Sequence, residues 1–256
     1  MPSVSNVAVG ALVAGAAASK ARHGMNESIA RLSTGMRSMY GGDAAGQSVA
    51  NTLQARSMSW AIAARNAEDG ISAAQTAESA LLEIASLAQR LRELGIQADN
   101  AALLSTSSDV AALNAEAAAL GTAIDAIVTK ATFNGVTVLS KADLTRAIGV
   151  TDDGGTTTLT FKAISLATRT AAAAADASAD TTLQEVAIAL GNVAAGIAAL
   201  KGRQAVAYSA SANLAAAAAR VEDTDFAKET ANLTKNSVLN QSAMAMVAQA
   251  NQAQSA

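Results

Sequence analysis

The sequence of 256 residues has no cysteine, one proline, one histidine and one tryptophan, and only 2% of it is aromatic. Without cysteine there is neither a disulfide framework nor a thiolate metal site, so disulfides cannot stabilise an extracellular form. A single proline, at position 2, leaves the rest of the chain free to form long helices. Hydrophobic residues reach 51%, but alanine supplies much of that figure. Burying alanine gains far less than the roughly 1.5–3 kcal/mol of a buried leucine or isoleucine. This excludes a compact aromatic core and favours slender, close-packed helices stabilised by length and by neighbouring molecules.

Charge is also in short supply. The balance is −3, from 18 basic and 21 acidic residues, with no dense basic block. That argues against a nucleic-acid partner, which needs clustered Lys and Arg. A Ser/His/Asp triad would have to be built on His23, which lies in a weakly patterned polar stretch, so a solvated or interface histidine is the reading. Tyr40–Gly46 is glycine-rich but lacks the Gly-Lys-Ser/Thr ending of a phosphate loop and reads as a turn. Glu68 and Asp69 are adjacent acids that would point apart on a helix. Catalytic, cofactor and metal sites are therefore not expected, and the chain does not read as an enzyme. The most apolar run, Val7–Ala18, is shorter than the about 20 residues of a membrane-spanning helix. No Lys or Arg precedes it, unlike a cleaved signal peptide.

What is present is helical periodicity. Between Asn66 and Gln97, alternating steps of three and four pick out Ala77, Ala80, Ile84, Leu87, Leu91, Leu94 and Ala98. This is an a/d seam with no charge on it. Arg90 falls at the seam's flank, whereas Arg92 and Glu93 point away and are free to touch a neighbour. A helix over 57–98 would be roughly 60 Å long at 1.5 Å per residue, and other helices must lie along it. Two later seams can do so. One is Val110, Leu113, Ala117, Leu120, Ile124 and Ile127; the other is Leu183, Val186, Leu190, Val193, Ile197 and Leu200. The expected core is Ile84, Leu87, Leu91, Leu113, Leu120, Ile124, Val193 and Ile197.

Residues 1–24 have weak periodicity and would be marginal as an isolated helix. A clearer stripe follows at Met25, Ile29, Leu32, Met36 and Met39. Tyr40-Gly41-Gly42 interrupts it, and Asp43 can cap a helix over 44–56 that precedes the long one. Asn100–Ser108 is a polar break, with Ser108 or Asp109 capping a helix to Lys130. Phe133–Ser140 and Leu159–Ile164 favour strand. Asp152-Asp153-Gly154-Gly155 makes a hairpin turn between Ile148 and Leu159. Residues 167–180 read as a linker or exposed loop, and helix resumes over 181–220. In the last segment Phe226, Leu233, Leu239, Ala243 and Met246 share one side. The two termini have similar small, polar character and could pair. The fold class is mostly α: a long antiparallel helical bundle or coiled coil with a small β-hairpin region at 133–166. Its division is a terminal domain of 1–43 with 220–256 and a helical shaft of 44–219.

Several runs resemble bacterial flagellin, the filament subunit of the flagellum. They are IARLSTG (29–35), GDAAGQSVAN (42–51), RNAEDGISAAQTAESA (65–80), QRLRELGIQA (89–98), FNGVTVL (133–139), RVEDTDFA (220–227) and MVAQANQ (246–252), in the family's order. The resemblance covers roughly 1–140 and 181–256 and implies a minimal form lacking large outer domains. It implies paired terminal helices in an inner tube, a helical layer around them, and a hairpin facing outward. It also implies export through the flagellar type III apparatus without cleavage, and an extracellular polymer of this chain. Implied partners are copies of itself, a cap protein, hook–filament junction proteins, an export chaperone and an innate immune receptor, with no nucleic acid and no membrane. Subunit contacts are implied at Arg31, Leu32, Asp43, Gln89, Arg90, Arg92, Glu93, Leu94, Glu116, Asp223, Phe226 and Leu239. Of these, Arg90, Leu94 and Glu116 match the receptor-bound pattern.

Three features depart from the family. The chain ends at Gln254-Ser255-Ala256 instead of a leucine-rich tail, Met39–Gly42 replaces a polar lead, and Pro2–Gly15 is rich in Val and Gly. The sequons at Asn26, Asn232 and Asn240 fall on helices expected to be packed, and read as coincidence; hydroxyls of Thr151–Thr160 are better modification sites. Two other readings compete: a junction protein between hook and filament, and a secreted membrane-active helical protein.

Overall fold

The computed structural model describes residues 3–37, 43–100, 107–165 and 172–255, with side chains from 9 to 252. In chain order the elements are α1 (Ser3–Thr34), α2 (Ala44–Asp99), α3 (Ser107–Lys130), β1 (Thr132–Phe133), β2 (Val136–Thr137), β3 (Leu144–Gly149), β4 (Thr156–Phe161), a 3-10 turn (Ala172–Ala174), α4 (Ala175–Glu222) and α5 (Phe226–Ser255). Two compact units result: residues 56–212, and residues 1–55 with 213–256.

In the first of these units, α3 and α4 each run antiparallel to α2. Ser57 Oγ donates to the Ser211 carbonyl at 2.9 Å, and Leu200 lies against Gly70. Further along, Gly95 meets Asp176. The deepest residues of α2 are Ala74, Ala77, Leu81, Ile84, Ala88, Leu91 and Leu94, all fully buried. The a/d seam is thus displaced in two places, because Ala80 and Leu87 are only half-buried. The reason is geometric: α2 is covered by two helices and a hairpin, so its buried arc is wider than a two-helix stripe. Each fully buried Leu or Ile contributes about 1.5–3 kcal/mol. Ile124 and Val193 are buried as expected, while Leu113, Leu120 and Ile197 are half-buried at the edges of the same clusters.

β3 and β4 form an antiparallel hairpin with Ile148 opposite Thr157 and Leu144 opposite Phe161. The turn falls where Asp152–Gly155 places it, closed by the Val150 amide donating to the Gly155 carbonyl at 2.9 Å. The hairpin is not a bare tip. Val150, Leu159 and Phe161 are buried in the unit's hydrophobic clusters, and Arg56 on α2 pairs with Asp152 at 2.6 Å. The strand expected over 133–140 is instead a tiny hairpin, β1 with β2, turning at Asn134-Gly135. Both residues have positive φ, 49° and 76°, the left-handed pair of a two-residue type I′ turn.

Other boundaries also move. The helix over 44–56 and the long one are a single α2, and α3 begins at Ser107, ahead of the expected caps. Of the alanine-rich stretch read as a linker, the part from Ala172 onward is helical, with Ala172, Ala175 and Ala179 fully buried against Leu91 and Leu94. A run with no bulky side chain carries little periodic signal, yet its small residues let α4 approach α2 closely. Residues 166–171 lie outside the described residues, as do Met39, Tyr40, Gly41 and Gly42.

In the other unit α1 packs antiparallel on α5. Arg31 faces Glu229, and a Cβ on Gly24 would stand 2.7 Å from Asn236 Nδ2. The buried face of α1 is Ala14, Ala18, Ala21 and Ser28. Weak sequence periodicity reflects this use of small residues, and the stripe through Ile29 is not the seam, since Ile29 is half exposed. On α5 only Ala243 of the expected stripe is buried; Phe226, Leu239 and Met246 are exposed.

Candidate subunit-contact surfaces

The expected contact residues fall into three places, each built by a different part of the sequence. The first is a junction at the end of α1. Gly35, at φ 73°, ends the helix in the left-handed conformation, with its amide donating to Arg31 O at 2.8 Å. The chain then pairs with the segment after α4. The Arg37 amide donates to Glu222 O at 2.7 Å, and the Thr224 amide to Gly35 O at 2.8 Å. This bridge sets Met36 opposite Asp223. Arg37 also donates through Nε and Nη2 to Val221 O, at 3.2 and 2.9 Å, and Nη2 reaches Asp43 Oδ2 at 2.9 Å. Asp43 caps α2 by accepting from the Gly46 amide at 2.8 Å. That bond, with the Arg37 charge, holds the Asp43 carboxyl below its ordinary range. Arg31 lies 3.6 Å from the buried Glu229, whose Oε1 accepts no hydrogen bond, and Leu32 is half-buried. The sequence pointed to Asp43 but missed Arg37, whose role depends on carbonyls 184 positions away.

The second place is the charged face of α2. Arg90 donates to Glu116 Oε1 through Nη2 at 2.7 Å and to Glu93 Oε2 through Nη1 at 2.9 Å. Glu116 and then Glu93 push its pKa further up. Arg92 and Glu93, expected to be free, are instead paired: Arg92 with Asp180 of α4 at 2.9 Å and Glu93 with Arg90 at 2.9 Å. All these groups remain substantially solvated, so water and salt screen each pair and weaken it. Gln89 is exposed, whereas Leu94 is fully buried beneath this face.

The third is a groove of about 830 Å³ along α1 and α5, lined by Val9, Val13, Ala17, Leu239, Ala243 and Met246 among others. Four of these are large apolar side chains left open: Val9 at 55%, Val13 at 64%, Leu239 at 48% and Met246 at 65% exposure. Phe226, at the start of α5, is also exposed. Contiguous exposed apolar surface of this kind marks a contact surface.

Chemistry-bearing groups do not converge comparably. His23 is exposed and lies 3.3 Å from Glu27 one turn along α1. Among the described residues no group of three or more His, Cys, Asp or Glu could hold a metal ion. The helices α3 and α4 are long and apolar enough by composition to cross a membrane, but here they place Ile124, Val128, Val186 and Val193 in a protein core.

Comparison with known proteins covers nearly all of these elements. Residues 6–143 match the bacterial flagellin N-terminal helical region, and residues 178–256 the bacterial flagellin C-terminal helical region. The chain is 35% identical to the flagellin of Halalkalibacterium halodurans over 238 residues, spanning 87% of this chain and 86% of that protein. It is 32% identical to the flagellin of Bacillus subtilis over 266 residues, spanning 87% and 88%. With the flagellin of Salmonella typhimurium identity is 40% over 147 residues, 57% of this chain but 29% of the larger relative.

Proposed function

Because the chain belongs to the bacterial flagellin family, and is therefore a subunit of the extracellular flagellar filament, we propose that its α1–α5 groove is the polymerisation surface. One observation carries this reading: Val9, Val13, Leu239 and Met246 stay open on a helix pair whose own seam is mostly alanine. A pair that buries so little gains little from pairing alone, and ordering its backbone costs roughly 1–2 kcal/mol per residue. Contacts with neighbouring copies supply the missing apolar burial. The function is mechanical, to carry torque along a helical polymer in swimming, and not enzymatic.

The remaining assignments rest on this reading. Domain roles follow the halves of the sequence: 1–43 with 220–256 as the inner tube, and 44–219 as the shaft. Arg31, Leu32, Asp43, Asp223, Phe226 and Leu239 serve contacts at the terminal unit, and Gln89, Arg90, Arg92, Glu93 and Glu116 serve contacts along the shaft. Leu94 supports that face from below. The subunit leaves the cell by type III export with a chaperone and assembles beneath a cap, beyond the junction proteins. Arg90 and Glu116 form the face an innate immune receptor would meet. The junction-protein and membrane-active readings are not favoured, since relatives matched over 86% and 88% of their length are named flagellin.

The test is a Val13→Asp, Leu239→Asp double variant added to filament seeds. It should keep the helical signal of residues 56–212 and fail to elongate the seeds. Normal elongation would remove the groove from the polymerisation surface.

A further inference from the structure

We infer that Asn134 is a site of spontaneous deamidation, a covalent change written into the turn between β1 and β2. Of the asparagines in the chain, only Asn134 is followed by glycine. Its side chain is exposed, and no hydrogen bond from the described residues holds it. The next residue, Gly135, is exposed, and nothing stands within 4 Å of where its Cβ would be, so no neighbouring group crowds that side of the turn. In the β1–β2 register Thr132 faces Thr137 and Phe133 faces Val136, which leaves the Gly135 amide outside the ladder.

The reaction needs only base and water. The Gly135 nitrogen gives up its proton and attacks Asn134 Cγ. The Cγ–Nδ2 bond breaks, ammonia leaves, and a five-membered succinimide closes. Water then opens the ring at one of its two carbonyls, giving aspartate or isoaspartate. Ring closure requires the Asn134 backbone to rotate out of its turn conformation, and only two residue pairs of ladder resist that rotation. Beyond the turn the chain stays anchored, because the Val138 amide donates to Ala131 O at 3.0 Å.

Two Asp-Gly pairs show why exposure and freedom matter. Asp69-Gly70 lies inside α2, where the backbone is fixed. In Asp153-Gly154 the carboxylate accepts from Thr151 and from the Gly155 amide, and as an ionised acid it is a poor electrophile. Asn134 has neither restraint. It lines a groove of about 660 Å³ that also holds Asp69 and Arg146, and the Arg146 Nε has no hydrogen-bond partner. Deamidation therefore adds one negative charge to that groove and makes the turn a record of the time since synthesis.

The experiment is incubation of the full chain in mildly alkaline buffer, with peptide mapping by mass spectrometry and an isoaspartate assay. Asn134 should gain one mass unit ahead of Asn66, Asn192 and Asn236, which serve as internal controls. Gly135→Ala should slow it by roughly ten-fold, equivalent to about 1.4 kcal/mol in the barrier. Because alanine strains a backbone at φ 76°, Gly135→Asn provides a second variant that tolerates the left-handed region; it too should slow the reaction. Conversion at Asn134 no faster than at the helical asparagines would overturn the assignment. So would an unchanged rate in both Gly135 variants.

Discussion

Gly95 of α2 faces Asp176 of α4 so closely that a Cβ on Gly95 would stand 2.4 Å from the Asp176 nitrogen and 2.9 Å from its Cα. Backbone, not a flexible side chain, fills that space, so nothing can yield without moving a helix. Gly95→Ala should push the start of α4 away from α2 and loosen the seats of Ala172, Ala175 and Ala179. Although alanine is the better helix former by about 1 kcal/mol, a net loss of roughly 1–3 kcal/mol is expected from overpacking. Thermal unfolding decides it: a midpoint at or above wild type would show that the contact is not close-packed.

The displaced seam gives a second expectation. Leu81→Ala should cost about 2–5 kcal/mol, as for a fully buried leucine, and Leu87→Ala clearly less, because Leu87 lies at the cluster edge. Leu91→Asp buries an unpaired charge and should be the most damaging of the three. Equal denaturation midpoints for Leu81→Ala and Leu87→Ala would restore the simple a/d seam.

Much of this architecture was legible because Leu, Ile and Val recur at three and four. Val186, Val193 and Leu200 took their places on α4 as their spacing indicated. What escaped was written in small residues. Ala172, Ala175 and Ala179 look like linker composition, and Ala14, Ala18 and Ala21 have no polar contrast strong enough to define a face. Arg37 escaped for another reason: the carbonyl it binds belongs to Val221, and no local pattern encodes a partner so distant. Asn134-Gly135 was a turn signal inside a run of strand-forming residues, and there the turn won.

Arg37 leads to the third expectation. Its guanidinium reaches Val221 O and Asp43 together. Arg37→Ala removes both and should free the 36–37 bridge, while Arg37→Lys keeps charge but not the forked geometry. Amide hydrogen exchange at Arg37 and Thr224 should accelerate in both variants, more in the alanine one. Unchanged protection would mean that the two backbone bonds of the bridge suffice.

Acid stability provides a fourth. Thr151 and then the Gly155 amide lower the Asp153 pKa; Lys162 and then the Ala163 amide do so for Asp143; the Gly46 amide and Arg37 do so for Asp43. A carboxyl lowered in the folded state contributes stability above its unfolded pKa and loses it as pH falls through the folded value. Unfolded aspartate titrates near about 3.9, so thermal midpoints should be level above that region and decline below it. An Asp43→Asn, Asp143→Asn variant should decline less steeply. A midpoint that holds steady through strong acid would contradict the assignment.

For the terminal helices the expectation concerns assembly. In free subunits, hydrogen exchange should show strong protection near Leu87 and little near Val13 or Leu239, with protection at the ends gained on polymerisation. Removal of residues 1–40 and 225–256 together should leave a soluble helical core that forms no filaments. Filaments from that core, or protected ends in the free subunit, would each defeat the idea.

The bridge beside Arg37 also carries an expectation about the order of folding. Arg37 and Val221 are 184 positions apart, yet Ser57 and Ser211, 154 apart, already meet within the other unit. Once α2 and α4 have zipped, the segment left to close spans about thirty residues in place of the whole intervening chain. Logarithmic loop scaling makes that closure easier by roughly 1–2 kcal/mol. The mating of first and last helices is thus subcontracted to the middle of the chain. A lesion at Leu81 or Gly95 should delay the joining of the ends even when every residue at those ends is intact.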